Sequence, residues 1–201
     1  MLDLLVPDEE QVKKDWQLSC DKGIAVDFPY WTRLWPSSIA LAAWLQKNNE
    51  ICLNKRVLEL AAGLGLPSFS VASIAKSVVV SDYLPEAIDQ LNRNIRHLQL
   101  SNVVACLQNW HQMPELIPAD VLLLSDVNYN PTDFEAIENL ISRYLESGTT
   151  IVLSTPHRIS AAAFADKVLK LHPKEYLETV LYNNVKLPIT IWVIRSQKSC
   201  I

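Results

Sequence analysis

From residue 55 onward, short apolar and β-branched runs alternate with longer segments whose apolar residues recur at helical spacing. Continuous apolar runs suit strands buried on both faces, and a period near 3.6 suits the helices that cover them. The pattern predicts strands at residues 56–60, 78–82, 103–107, 120–126, 150–154, 176–181 and 189–195. It predicts helices at 68–75, 85–98, 132–145 and 160–171, with another at 37–46 ahead of the first strand. Only about six residues, around 183–188, separate the last two strands; that is too short for a parallel crossover, so they form an antiparallel hairpin. The expected fold is α/β: a Rossmann-like, doubly wound sheet of seven strands, parallel except for a C-terminal antiparallel hairpin strand.

Two helix starts carry local signals. Thr132-Asp133-Phe134-Glu135 reads as a capping box, and Pro85-Glu86 places a preset φ and a favourable charge in a first turn. Ser37 or Ser38 is the expected N-cap of the first helix. No repeat, low-complexity tract or Gly/Ser linker divides the chain. Residues 1–201 therefore read as one domain, with 1–35 as a lead-in or lid ahead of a core at 36–201.

Composition narrows the classes further. With 49% hydrophobic and 20% charged residues in 201, the chain has enough apolar mass for one well-formed core, which excludes disorder and coiled coil. Its apolar runs fall far short of the roughly 20 residues that cross a bilayer. The N-terminus, Met-Leu-Asp-Leu-Leu-Val-Pro-Asp-Glu-Glu, is acidic where a secretory or transit signal would be basic, so a cytoplasmic protein is expected. A formal charge of -4 and a pI near 5.6 offer no broad basic face, and no nucleic-acid partner is expected. Cys20, Cys52, Cys106 and Cys200 show no metal-ligand spacing and read as reduced, small hydrophobes, with no metal site; a monomer is the expected state.

Candidate chemistry collects where the first core strand ends. Two of only four glycines, Gly63 and Gly65, follow Val57-Leu58-Glu59-Leu60-Ala61-Ala62 and precede a helix. A strand–glycine turn–helix unit exposes free amides at the carboxyl edge of the sheet, where doubly wound folds bind ligands. Asp82 ends the next strand, placed to accept ribose hydroxyls. Position 68, where a dinucleotide fingerprint wants a third Gly or Ala, is Ser, and Glu59 ends the strand just before the turn. A carboxylate there repels a pyrophosphate and attracts an ammonium or sulfonium. The expected cofactor is S-adenosyl-L-methionine, its adenosine on Asp82 and its amino-acid end near Glu59.

These residues resemble the class I, seven-strand S-adenosylmethionine-dependent methyltransferases, and within them the lysine methyltransferase-like group, methyltransferase family 16. The resemblance covers residues 31–195. Its signs are Leu34-Trp35-Pro36-Ser37-Ser38, the turn from Glu59 to Gly65, Val80-Ser81-Asp82, Asn109-Trp110, and Ser125-Asp126-Val127-Asn128-Tyr129, which matches the group's D-x-x-Y motif. The resemblance implies that Trp35 packs beside the cofactor, Gly63, Gly65 and Ser125 line its methionine part, Asp82 takes the ribose, and Asn109 and Trp110 meet the adenine. Ala61 stands where the family's glycine-rich run usually has its first Gly, which leaves that contact open.

The acceptor implied by the group is a lysine of a protein substrate. An ammonium has no lone pair, and reaching the neutral amine at pH 7 from a reference near 10.4 costs about 4.6 kcal/mol. Asp126 and Tyr129 are the catalytic candidates, the carboxylate to orient the amine and the ring and hydroxyl to wall its channel. His157 and Arg158, beyond the fifth strand, are further candidates for substrate contact, whereas His97, His111 and His172 read as surface or loop residues. Three alternatives stay open: a small nitrogenous metabolite as acceptor, an NAD-dependent oxidoreductase, and a non-catalytic binding protein.

Overall fold

The computed structural model describes residues 2–156 and 161–196. Seven strands form a single sheet: β1 Arg56–Leu60, β2 Ser77–Asp82, β3 Val103–Leu107, β4 Val121–Ser125, β5 Thr150–Pro156, β6 Lys174–Tyr182 and β7 Val185–Ile194. Their order is β3-β2-β1-β4-β5-β7-β6. The first five strands pair in parallel, and β7 runs antiparallel to both β5 and β6. The chain reverses direction across the sheet between β1 and β4, and in such folds that switch point opens a crevice at the carboxyl ends of the strands.

Strand alternation divides the core into two layers. Val57, Val78, Val80, Val121, Leu123 and Val152 face one way, against Leu41, Trp44 and Leu45 of α2 (Pro36–Lys47), Phe69 and Val71 of α3 (Leu66–Val71) and Leu91 of α4 (Pro85–His97). Leu58, Leu60, Leu122, Leu124 and Leu153 face the other way, against Ile137, Leu140 and Tyr144 of α5 (Phe134–Glu146) and Phe164 and Val168 of α6 (Ala162–Leu169). Burial on both faces explains why β4 reads as an unbroken apolar run from Val121 to Leu124. No helix among the described residues is long and apolar enough to cross a membrane.

Several local expectations change. The hairpin between β6 and β7 turns on two residues rather than about six: Asn183 and Asn184 both adopt positive φ, 49° and 62°, as a tight primed turn requires. Pro188 sits inside β7 because residues 185–188 pair with β6 alone, so its missing N–H faces an unpaired side. The capping box at Thr132 is not made. A short 3₁₀ turn, Pro131–Asp133, precedes α5, and Asn130 caps it by accepting the Thr132 N–H at 3.3 Å. Neither Ser37 nor Ser38 caps α2; the cap residue is Trp35, whose carbonyl accepts the Ser38 hydroxyl at 2.8 Å.

The lead-in carries a helix that the pattern did not predict, Glu9–Asp21, here α1. Asp8 caps it by accepting the Glu10 and Gln11 amides at 3.0 and 3.1 Å, but α1 buries none of its residues. The segment ahead of it is strapped to α4: Asn94, fully buried, accepts the Leu5 N–H at 2.8 Å, and the Asn94 and Gln90 amides donate to the Leu5 carbonyl.

Gly65 fixes the start of α3. Its φ is +75°, and a Cβ there would lie 2.7 Å from the Phe69 ring and 2.8 Å from Leu91. Gly63, at φ +53°, would meet nothing nearer than the Trp31 backbone at 3.6 Å. Gly65→Ala is therefore expected to destabilise by about 2–4 kcal/mol, combining overpacking with left-handed strain, and Gly63→Ala by about 1–2 kcal/mol from strain alone. Urea unfolding of the two variants tests this ordering, and equal losses would contradict it.

Candidate functional site

The crevice at the switch point is a cavity of about 1140 Å³ counting its open mouth. Its floor is the turn from Ala61 to Leu66, one side is Asp82 to Leu84 beyond β2, and the other is Ser125 to Val127 and Tyr129 beyond β4. Trp110 closes the β3 side, and Phe28 with residues 30–31 and 33–35 of the lead-in forms the roof. A second cavity of about 1110 Å³ adjoins it and shares Phe28, Tyr30, Ala61, Tyr83, Trp110 and Tyr129 with the first.

Asp82 organises one side. One carboxylate oxygen accepts the Gly63 N–H at 3.1 Å, and the other accepts the Tyr83 and Leu84 amides at 2.8 and 3.3 Å. Burial pushes its pKa up, against the pull of these three donors. A carboxylate offers about four acceptor positions, so room remains for about one more strong hydrogen bond, enough for one ribose hydroxyl.

Glu59 lies behind the turn rather than on the cavity wall. Its side chain shares the Val57 face of β1, is fully buried, and accepts the Ser68 N–H in the first turn of α3 at 3.0 Å. Its other oxygen has no hydrogen-bond partner. Desolvation, reinforced by the nearby Asp82 charge, raises its pKa to about 7 against the bonds from Ser68. The structure thus gives Glu59 the role of tying α3 to β1, and any attraction for a cationic cofactor end must act through the turn.

The remaining candidates divide between the two cavities. Trp35, Gly63, Gly65, Ser125, Asp126, Tyr129 and Trp110 all line the first. Asn109 lines only the second, and its side chain accepts the His111 N–H at 2.9 Å to shape the 3₁₀ turn after β3. Gly65 meets the cavity with its backbone, but its lack of a side chain answers to Phe69 and Leu91 rather than to a ligand. Trp35 is held by an indole N–H bond to the Tyr30 carbonyl at 2.9 Å, with the Arg33 guanidinium 3.8 Å over its ring.

Beyond β4 the backbone turns sharply. Asp126 has φ 58°, a left-handed conformation that an aspartate tolerates better than most residues, and its N–H donates to the Ser154 carbonyl at 2.9 Å. Asn128, which reads from sequence as a plain turn residue, is buried and accepts the Thr155 hydroxyl at 2.8 Å, fixing the loop against β5. Tyr129 stays at the mouth, 40% exposed, with its phenol pushed up to about 12 by desolvation, so it remains a neutral donor at ordinary pH. His111 is exposed, as expected, and its ring lies 3.0 Å from Asp133, bridging the loops after β3 and β4. His157 and Arg158 lie outside the described residues.

The sequence marks 1–35 as a lead-in or lid and Trp35 as part of the site, but not Phe28 and Tyr30. Tyr30 touches Tyr129 across the mouth, with ring centroids 5.4 Å apart, and Phe28 packs on Tyr30 at 4.7 Å. The aromatic run Phe28-Pro29-Tyr30-Trp31 was the available signal.

An adenosyl group with a charged amino-acid tail fits these features. Asp82 offers a ribose acceptor, Trp110 a flat apolar face, and Ser125 a buried hydroxyl oxygen with no partner in the protein. The sheet order and site position define a class I methyltransferase architecture. Solved structures share it: a putative RNA methyltransferase from Pyrococcus horikoshii matches with TM-score 0.62 at 15% identity, covering 92% of this chain and 98% of that one. The N-methyltransferase NodS from Bradyrhizobium japonicum, in complex with S-adenosyl-l-homocysteine, matches with TM-score 0.62 at 14% identity, covering 88% and 97%.

Residues 29–170 match the lysine methyltransferase family model, and the chain belongs to that family, methyltransferase family 16. Its relatives include the histone-arginine methyltransferase METTL23 of Xenopus laevis, 28% identical over 76% of this chain and 64% of that protein. The human METTL23 is 28% identical over 68% and 75%, respectively. The protein N-terminal and lysine N-methyltransferase efm7 of Schizosaccharomyces pombe is 34% identical over 62% of this chain and 56% of its own length. The chain thus spans under two thirds of the length of the frog and yeast relatives.

Glu59 stays neutral in the fold up to about pH 7, while a carboxyl of its ordinary value, 4.5, ionises earlier in the unfolded chain. Its contribution to stability is therefore complete below pH 4.5 and lost as pH rises to about 7, a fall of about 3 kcal/mol at 1.36 per unit. Glu59→Gln is expected to flatten the decline in urea-unfolding free energy between pH 5 and 8, leaving the same-signed part due to Asp82. Parallel pH profiles for the two proteins would contradict the assignment.

Proposed function

We propose that the protein transfers the methyl group of S-adenosylmethionine to a nitrogen of a protein side chain, lysine in the first instance. The observation that carries this reading is the placement of Asp126 and Tyr129, the D-x-x-Y pair, on the wall of the cavity that also contains Asp82, Ser125 and the Gly63 turn. The family supports lysine as acceptor.

The cofactor, when bound, supplies an activated methyl group, so the protein needs neither a nucleophile nor a metal of its own. Its contribution is positioning. Asp82 would hold the ribose, Trp110 would cover the adenine, and the Ser125 hydroxyl would meet the amino-acid end. Asp126 would accept a hydrogen bond from the incoming amine and so aim its lone pair. Tyr129, neutral at working pH, would wall the channel and donate to a polar atom of the acceptor. The mouth beside Tyr129 is open, which suits a long side chain presented by another protein.

Arginine is the second reading, favoured by the relatives named histone-arginine methyltransferases. A guanidinium also pairs with the Asp126 carboxylate, and the same cavity serves either acceptor.

Incubation with methyl-labelled S-adenosylmethionine and cell extract, followed by hydrolysis of the labelled protein, is expected to yield methyl-lysine; methyl-arginine would select the second reading. Label confined to small molecules would overturn both. Asp126→Ala is expected to lower kcat by about a hundredfold or more, and Tyr129→Phe by about tenfold, with cofactor affinity retained in each. Full turnover by both variants would remove these residues from the mechanism.

A further inference from the structure

We propose that Tyr30, a residue of the lead-in, is the second wall of the acceptor channel and works with Tyr129 as a two-ring gate that positions a cationic side chain. The proposal rests on the methyl-transfer reading above and extends it to a residue outside the D-x-x-Y motif.

Tyr30 stands at the mouth, on the wall of both cavities. Its ring contacts Tyr129 at 5.4 Å with the planes tilted by 48°, and both residues line both cavities. Tyr30 is 45% exposed and Tyr129 40%, so the pair presents ring surface to solvent directly at the mouth. The touching rings stand on the boundary that the two cavities share, beside the open mouth.

Tyr30 is also held rigidly from behind, which a surface aromatic with no task does not need. Its carbonyl accepts the Trp35 indole N–H at 2.9 Å, and its ring packs on Phe28, which packs in turn on Trp16 of α1 at 5.0 Å. The lead-in that delivers these rings is pinned at its far end by the buried Asn94 and Gln90 side chains, whose bonds to the Leu5 backbone bridge more than eighty residues of sequence. Between the anchors, α1 has no fully buried residue and meets the roof through Trp16 on Phe28.

The surroundings select the charge of the ligand. Asp82 and Asp126 line the first cavity, and Asp27 and Asp133 line the second. The basic side chains on the two walls among the described residues are Arg33, already stacked on Trp35, and His111, already beside Asp133. Two aromatic faces within such a rim attract a cation and its aliphatic stem together, whereas a neutral side chain gains only the apolar contact.

Tyr30→Ala, Tyr30→Leu and Tyr30→Phe test the gate, with hypomethylated cell extract as the acceptor source and methyl label as the readout. Tyr30→Ala and Tyr30→Leu are expected to raise the extract concentration at half-maximal rate by about tenfold, with maximal rate and S-adenosylmethionine affinity each within about threefold of wild type. Tyr30→Phe, which keeps the ring, is expected to restore half-saturation to within about threefold. Thermal unfolding of each variant reports whether the strap stays docked. Unchanged half-saturation in Tyr30→Ala would overturn the proposal alone. So would a loss of cofactor affinity, which would make Tyr30 part of the cofactor roof instead. Absence of label in every fraction with the wild-type protein would overturn the methyl-transfer reading itself, and the gate with it.

Discussion

Two buried carboxylates hold the site together. Glu59 at the end of β1 and Asp82 at the end of β2 gather four backbone amides between them, those of Ser68, Gly63, Tyr83 and Leu84. Three of these amides lie in the turns that leave β1 and β2 and the fourth, of Ser68, in the first turn of α3, so the two side chains fix the path of the chain around the crevice. Burying them costs stability, as the upward shift of both pKa values shows. A fold that tolerates this cost at one sheet edge keeps a preorganised site there, since the donors and acceptors are already in place when a ligand arrives.

The opposite side of the crevice is built with less charge and more backbone. Asp126 sits in a left-handed turn, anchored by the Ser154 carbonyl, and Asn128 locks the same loop to Thr155. Asp126 and Tyr129 therefore project from a loop fastened at two points to β5. A reaction that depends on placing a lone pair in line with a methyl group needs that rigidity more than it needs an acid or base of unusual strength.

Much of this was legible in the sequence because parallel strands buried on both faces leave unbroken apolar runs, and strand ends at a switch point are few. The position of Asp82 follows from that pattern, and the resemblance to the methyltransferase family added Trp110, Ser125, Asp126 and Tyr129. Glu59 was legible as an acid beside the turn but not in its direction: its parity with Val57 sends it under α3, away from the cavity wall. The hairpin was misjudged in length because Lys186 and Pro188 read as loop, whereas they lie on the stretch of β7 paired on one side only. α1 carries only a narrow apolar stripe, Val12, Trp16 and Cys20, which makes it faint in the sequence, although Asp8, Glu9 and Glu10 mark its start. The Tyr30–Tyr129 contact joins segments about a hundred residues apart, and no local pattern encodes it.

The central claim is that the crevice between the ends of β1 and β4 receives an adenosyl group with a charged amino-acid tail. A crystal structure grown with S-adenosylhomocysteine tests it most directly. The expected complex has a ribose hydroxyl bonded to Asp82, the adenine against Trp110 and the amino-acid end beside Ser125. A crevice left empty at saturating ligand, or the nucleoside bound elsewhere on the molecule, would contradict it.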